Sequence, residues 1–115
     1  RFYDLEIKPD WWKLPSMTES SWKRVSTIMN TSDSHCQCVL LLGLSAPIDT
    51  VKKSFDVASK YPICKGFTVG RTIFYDPAKL WMQNKITDEE LVDSVSMNYI
   101  DLIKAWKNNR EEIQQ

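Results

Sequence analysis

Apolar residues in this chain fall into short unbroken runs separated by stretches in which they recur every three or four positions. Cys38-Val39-Leu40-Leu41-Leu42 is continuous and stops at Gly43, the pattern of a strand buried on both faces. Trp11-Trp12-Lys13-Leu14 is a bulkier strand, closed by Pro15, which cannot donate to a ladder. Gly66 to Phe74 is read as a third strand. Its Thr68, Val69, Thr72 and Ile73 are β-branched, and Gly70-Arg71 interrupts it where a strand would give way to a loop.

Between these runs the periodicity is helical. Arg1 to Ile7 reads as the last turns of a helix that Pro9 stops, because the residue before a proline is pushed out of the helical region. Ser16-Met17-Thr18-Glu19 has the capping-box spacing and opens a helix to about Asn30, with Trp22, Val25 and Met29 on one stripe. Ser45-Ala46-Pro47 places a capping serine and an early proline before a helix carrying Ile48, Val51, Phe55 and Ala58, ended by Tyr61-Pro62. Asp76-Pro77 repeats that signal for a short helix through Leu80, Trp81 and Met82. Thr87-Asp88-Glu89-Glu90 is a second capping box, opening a long helix with Leu91, Val95, Asn98, Leu102 and Trp106 on its packing stripe.

Strands alternating with helices imply right-handed parallel crossovers and an α/β fold of three β/α units with a long C-terminal helix. Residues 1–115 amount to one domain or less. Three parallel strands that are apolar on both faces make a poor sheet by themselves. Together with a chain that opens on Arg1-Phe2-Tyr3 without a methionine, this reads as a C-terminal fragment of something longer.

Composition narrows the function classes. Fifteen acidic and fifteen basic side chains give zero formal charge and are mixed along the chain, so nothing suggests a nucleic-acid binder. No apolar run approaches the ~20 residues of a membrane helix, and no basic-then-apolar leader pattern is present, so a soluble cytoplasmic protein is the expectation. Cys36 and Cys38 lie two apart on one strand face and read as buried reduced thiols, since no second pair of ligand spacing completes a zinc site. His35, the single histidine, reads as a loop residue and not as a base. No metal or cofactor is expected.

The chemistry is expected at the strand ends. In a parallel sheet the C-terminal ends share one rim, so Lys13, the Gly43-Leu44-Ser45 turn and Gly70-Arg71 should converge there. A Gly-Leu-Ser turn leading into a helix N-terminus offers amides on a positive dipole end, and Arg71 offers a planar fork of donors. Gly43, Ser45, Gly70 and Arg71 could therefore hold a phosphate. Alternatively, Gly70 only bends the chain and Arg71 pairs with a structural carboxylate. Lys13, flanked by tryptophans, would be desolvated, with a depressed pKa suited to Schiff-base formation, or it would snorkel past Trp11 to water. Lys8 and Lys65 fall on the opposite rim.

Three pieces of the chain resemble a known family: Pro9-Asp10-Trp11-Trp12-Lys13-Leu14, Val39 to Pro47, and above all Gly66-Phe67-Thr68-Val69-Gly70-Arg71-Thr72-Ile73-Phe74. They are similar to the C-terminal part of the aldolase-like barrel domain, an uncharacterised-family domain, of bacterial bifunctional 5-dehydro-2-deoxygluconokinase/5-dehydro-2-deoxyphosphogluconate aldolases. More distantly they resemble the tagatose-1,6-bisphosphate aldolases. The resemblance implies strands six to eight of a (β/α)8 barrel, with Lys13 as the Schiff-base lysine, Gly43 and Ser45 in the strand-seven loop, and Gly70 and Arg71 in the strand-eight phosphate loop. Leu41-Leu42-Gly43 stands where the tagatose enzymes have a serine-containing turn. The implied reaction is aldol cleavage of a phosphorylated keto sugar acid in inositol or carbohydrate catabolism, with no cofactor. The implied partners are the rest of the barrel and a sugar-kinase domain. The alternative is a non-catalytic phosphosugar-binding or structural domain attached to that kinase. By itself the fragment is expected to be inactive and to self-associate through open sheet edges.

Overall fold

The apolar runs form one parallel sheet in the computed structural model, which describes residues 1–114. Strands β1 (Trp11–Leu14), β2 (Cys38–Leu42) and β3 (Cys64–Thr68) lie in the order β1-β2-β3, with the most apolar run in the middle. Trp11 pairs with Cys38 and Leu14 with Leu41, and Leu41 and Leu42 pair with Phe67 and Thr68. The helices are α1 (Glu19–Ser32), α2 (Ile48–Ala58), α3 (Arg71–Met82) and α4 (Asp88–Gln114), so the expected three β/α units and long C-terminal helix are present.

One sheet face carries the core. Val39 and Leu41 of β2 are buried with Trp22, Phe55, Ala58 and Leu102 from the helices. Phe67 stacks on Phe55 at 5.1 Å, and Trp106 of α4 meets Phe55 edge-on at 5.2 Å, so Trp106 packs against the core while its ring also carries the Arg110 guanidinium at 5.1 Å. A register irregularity lets both Cys64 and Phe67 join this face: Val39 pairs with Cys64 but Leu40 pairs with Gly66. Lys65 is the extra residue, and skipping it shifts the two-residue alternation. The other face, bearing Trp11, Lys13, Leu40 and Leu42, lies outside the core.

Several boundaries differ from the expectation. The N-terminal segment is a single 3-10 turn at Tyr3–Leu5, not the end of a helix, because Glu6 turns left-handed at φ 58°. Helix α1 is capped by Thr18, whose hydroxyl accepts the Ser21 amide at 3.3 Å, so Ser16 does not form the capping box, and the helix runs on to Ser32. Pro47, not Ser45, is the N-cap residue of α2.

The largest difference concerns the Gly66 to Phe74 stretch. Strand β3 ends at Thr68, Gly70 caps α3, and Arg71 to Phe74 form its first turn. Asp76-Pro77 therefore starts no helix; Pro77 lies inside α3. β-Branched residues fit a strand from local preference alone, but here Ile73 is buried from a helix packed on α4. The second capping box is formed as expected: the Thr87 amide donates to Glu90 Oε2 at 2.8 Å, and the Glu90 amide donates to Thr87 Oγ1 at 3.1 Å. No helix among the described residues is long and apolar enough to cross a membrane.

Candidate functional site

Parallel pairing brings all three strand C-termini to one rim, and two of the following turns close around a cavity. Gly43, at the end of β2, is buried with no room for a side chain. A Cβ there would lie 2.8 Å from Val69 Cγ1 and 3.2 Å from Thr72 Oγ1. Leu44 and Ser45 then both adopt left-handed backbone, φ 50° and 62°, and the Ala46 amide closes the turn by donating to the Gly43 carbonyl at 3.0 Å. Two consecutive non-glycine residues in this region are strained, and such strain persists where surrounding contacts over-determine the backbone.

On the β3 side, Gly70 leads directly into α3, and the Ile73 amide donates back to the Gly70 carbonyl at 2.8 Å. Thr72 Oγ1 reaches across and donates to the Ala46 carbonyl at 2.7 Å, tying the two turns together.

The space between the turns is a cavity of about 230 Å³ whose lining includes Gly43, Leu44, Ser45, Gly70, Arg71 and Phe74. All four residues expected to hold a phosphate thus line one cavity. Helix α3 begins at its edge, α2 begins beyond it at Ile48, and neither has a side-chain cap on its first amides. The positive dipole end of α3 and the Arg71 guanidinium favour an anion here. Among the described residues Arg71 is exposed and makes no salt bridge, so it is not the partner of a structural carboxylate. Ser45, Arg71 and Thr72 also border an adjacent chamber of about 390 Å³, lined further by Tyr75, Asp76 and Asn98.

Lys13 is placed differently. It points to the sheet face away from the core, level with Leu40 and, across the sheet, Gly66. That puts it two strand spacings, roughly 10 Å, from β3. It does not line the 230 Å³ cavity. Lys13 is exposed and its neighbour Trp11 is 60% exposed, so the desolvation expected from the flanking tryptophans is not provided by this chain. Trp12 instead turns to the opposite face, where its Nε1 donates to the Tyr3 hydroxyl at 2.9 Å.

His35 is an exposed loop residue 2.6 Å from Asp10 Oδ1, at the opposite end of the strands, and the three cysteines are free thiols. Thr72 was missed as a site residue because Thr72 to Phe74 read as strand. The signal that could have found it is the glycine before Arg71, since a helix N-terminus at Gly70 places residue 72 in the first turn facing the previous loop.

Three parallel strands alternating with helices define the class: an α/β protein with a cavity between two of its strand-to-helix turns. Within that class the chain belongs to the bacterial family described as "Uncharacterized protein conserved in bacteria (DUF2090)", whose model matches residues 1–110. No curated protein and no solved structure matches the chain.

Proposed function

We propose that this chain contributes three β/α units to a larger barrel that cleaves a carbon–carbon bond in a phosphorylated keto sugar acid. In this reading Gly43, Ser45, Gly70 and Arg71 hold the phosphate, and Lys13 is the amine. The observation that carries it is the convergence of those four residues, from turns far apart in sequence, on one rim cavity beside the uncapped N-terminus of α3. Lys13 stands level with the middle of β2, on the face that a closed barrel would turn inward.

The chemistry follows from these groups. Lys13 Nζ, neutral at the moment of attack, adds to the ketone carbon, and loss of water leaves a protonated imine. That cation accepts the electron pair of the breaking carbon–carbon bond, while a base removes the proton of the substrate hydroxyl. The anchored phosphate keeps the carbonyl within reach of the amine. Three strands cannot close a barrel, so the base and the cover that desolvates Lys13 come from further strands, and this chain alone binds without turnover.

Borohydride trapping with the phosphorylated substrate, in protein carrying the complete barrel, is the test. A covalent adduct on Lys13, lost in Lys13→Ala together with activity, is expected. Retained activity in Lys13→Ala would refute the lyase reading.

The exposure of Lys13 favours one other reading, a non-catalytic phosphosugar-binding domain serving a neighbouring sugar-kinase domain. There Arg71→Ala abolishes ligand binding and Lys13→Ala leaves it unchanged.

A further inference from the structure

The two turns of the rim cavity are joined by one side-chain hydrogen bond, and it starts from a residue that the phosphate reading does not use. Thr72 Oγ1 donates to the Ala46 carbonyl at 2.7 Å. Ala46 follows directly on Leu44 and Ser45, the two residues held at φ 50° and 62°, and its own amide closes their turn onto Gly43. Gly43 in turn is pressed against Val69 and Thr72, with no space for a Cβ.

The left-handed pair is thus clamped from both ends, by packing at Gly43 and by the Thr72 hydroxyl at Ala46. Leucine and serine leave this region readily when nothing holds them, because a side chain there crowds the backbone. Leu44 is 63% exposed, so the burial of its own side chain does not hold it.

We propose that Thr72 is the positioning residue of the rim site: its hydroxyl locks the Gly43–Ala46 turn in the left-handed form that sets Ser45 and the N-terminus of α2 opposite Arg71. The inference rests on the phosphate reading above and deepens it. Arg71 and Thr72 are successive residues of α3 with separate tasks. Arg71 faces the ligand space, and Thr72 fixes the opposite wall at a distance set by the helix. Losing the hydroxyl lets the turn relax toward right-handed or extended backbone. Arg71 is then intact, but Ser45 and the start of α2, which border one chamber with it, no longer face it.

The experiment is a titration of the chain with inorganic phosphate, followed through backbone amide resonances, for wild type and for Arg71→Ala, Thr72→Val, Thr72→Ala and Thr72→Ser. Wild type should show saturable shifts in the 43–46 and 70–72 amides, and Arg71→Ala should lose them. Thr72→Val and Thr72→Ala should weaken phosphate about three- to tenfold, the range that one lost hydrogen bond corresponds to. Thr72→Ser, which keeps the hydroxyl, should bind like wild type. A second readout is the HN–Hα coupling of Leu44 and Ser45, which reports φ and should change in the valine and alanine variants without phosphate.

Wild-type affinity in Thr72→Ala would overturn the positioning role and leave the phosphate reading standing, as would a serine variant as weak as alanine. If wild type and Arg71→Ala respond alike, the phosphate reading falls, and the couplings then decide the clamp: unchanged values in Thr72→Ala overturn it. Should valine prevent folding, the alanine and serine pair carries the same comparison.

Discussion

Pro77 lies inside α3, where it lacks the amide that would bond the Ile73 carbonyl four residues earlier. Asn98 of α4 fills the gap: its Nδ2 donates to that carbonyl at 2.8 Å. Ile73 is 6% exposed, so water cannot readily replace the donor. Asn98→Ala should therefore destabilise the chain by about 1–3 kcal/mol, the usual consequence of leaving a buried carbonyl unpaired. In a Pro77→Ala background the restored amide can bond Ile73 within the helix, and Asn98→Ala should then cost only about 0.5–1 kcal/mol. The two substitutions should couple by about 1–2 kcal/mol, well above the ~0.3–0.5 kcal/mol within which independent sites add. Pro77→Ala alone should be neutral or stabilising, since it removes an interior proline whose missing bond α4 already supplies. Urea unfolding of the four proteins, monitored by tryptophan fluorescence at one fixed concentration, measures the coupling if the m-value is constant. Additive free energies would show that Asn98 does not replace the amide that Pro77 lacks.

Other perturbations bear on the rim, a thiol and the sheet. Gly43→Ala should destabilise by about 1–3 kcal/mol as an overpacking substitution, because its Cβ would meet Val69 at 2.8 Å; a neutral result in urea unfolding would show that Val69 can move aside. Burial pushes the Cys64 thiol up from its ordinary 9.0 to about 11. Between those values the unfolded thiol loses its proton while the folded one keeps it, so stability contributed by this group is full below pH 9 and declines as pH rises toward 11. Cys64→Ala should flatten that part of the stability profile, and in the native wild type Cys64 should be alkylated more slowly than Cys36, which is only partly buried; equal labelling rates would contradict the assigned burial. The uncovered sheet face and edges should drive self-association at micromolar concentration, so a single monomer boundary in analytical ultracentrifugation would argue against reactive edges.

One physical reason, readable from the sequence, groups the four rim residues and Lys13. Parallel strands joined by crossover helices deliver every strand end to the same side, so Lys13, Gly43-Leu44-Ser45 and Gly70-Arg71 could be grouped from the spacing of apolar runs. The long C-terminal helix and its stripe from Leu91 to Trp106 were equally plain, because a 3.6-residue period sustained over many turns suits a helix and no strand. The proposed reaction comes from the resemblance of three stretches of the sequence to an aldolase-like domain, and not from the spacing of apolar runs.

What lay beyond the sequence was decided by contacts across long separations. Gly66 to Phe74 has the local preference of a strand, yet only its first three residues belong to β3, because Ile73 gains burial by joining a helix packed on α4. Pro77 stands inside that helix, and the Ile73 carbonyl it leaves without an amide accepts from Asn98, far along the chain. The left-handed Leu44-Ser45 pair carries no glycine signal and is held by a threonine from another turn. The exposure of Lys13 likewise depends on what covers the sheet, not on its tryptophan neighbours. Local pattern determined which elements exist and which ends they share; where each ends, and which side chains meet, was settled by burial and hydrogen-bond satisfaction between segments that the chain order keeps apart.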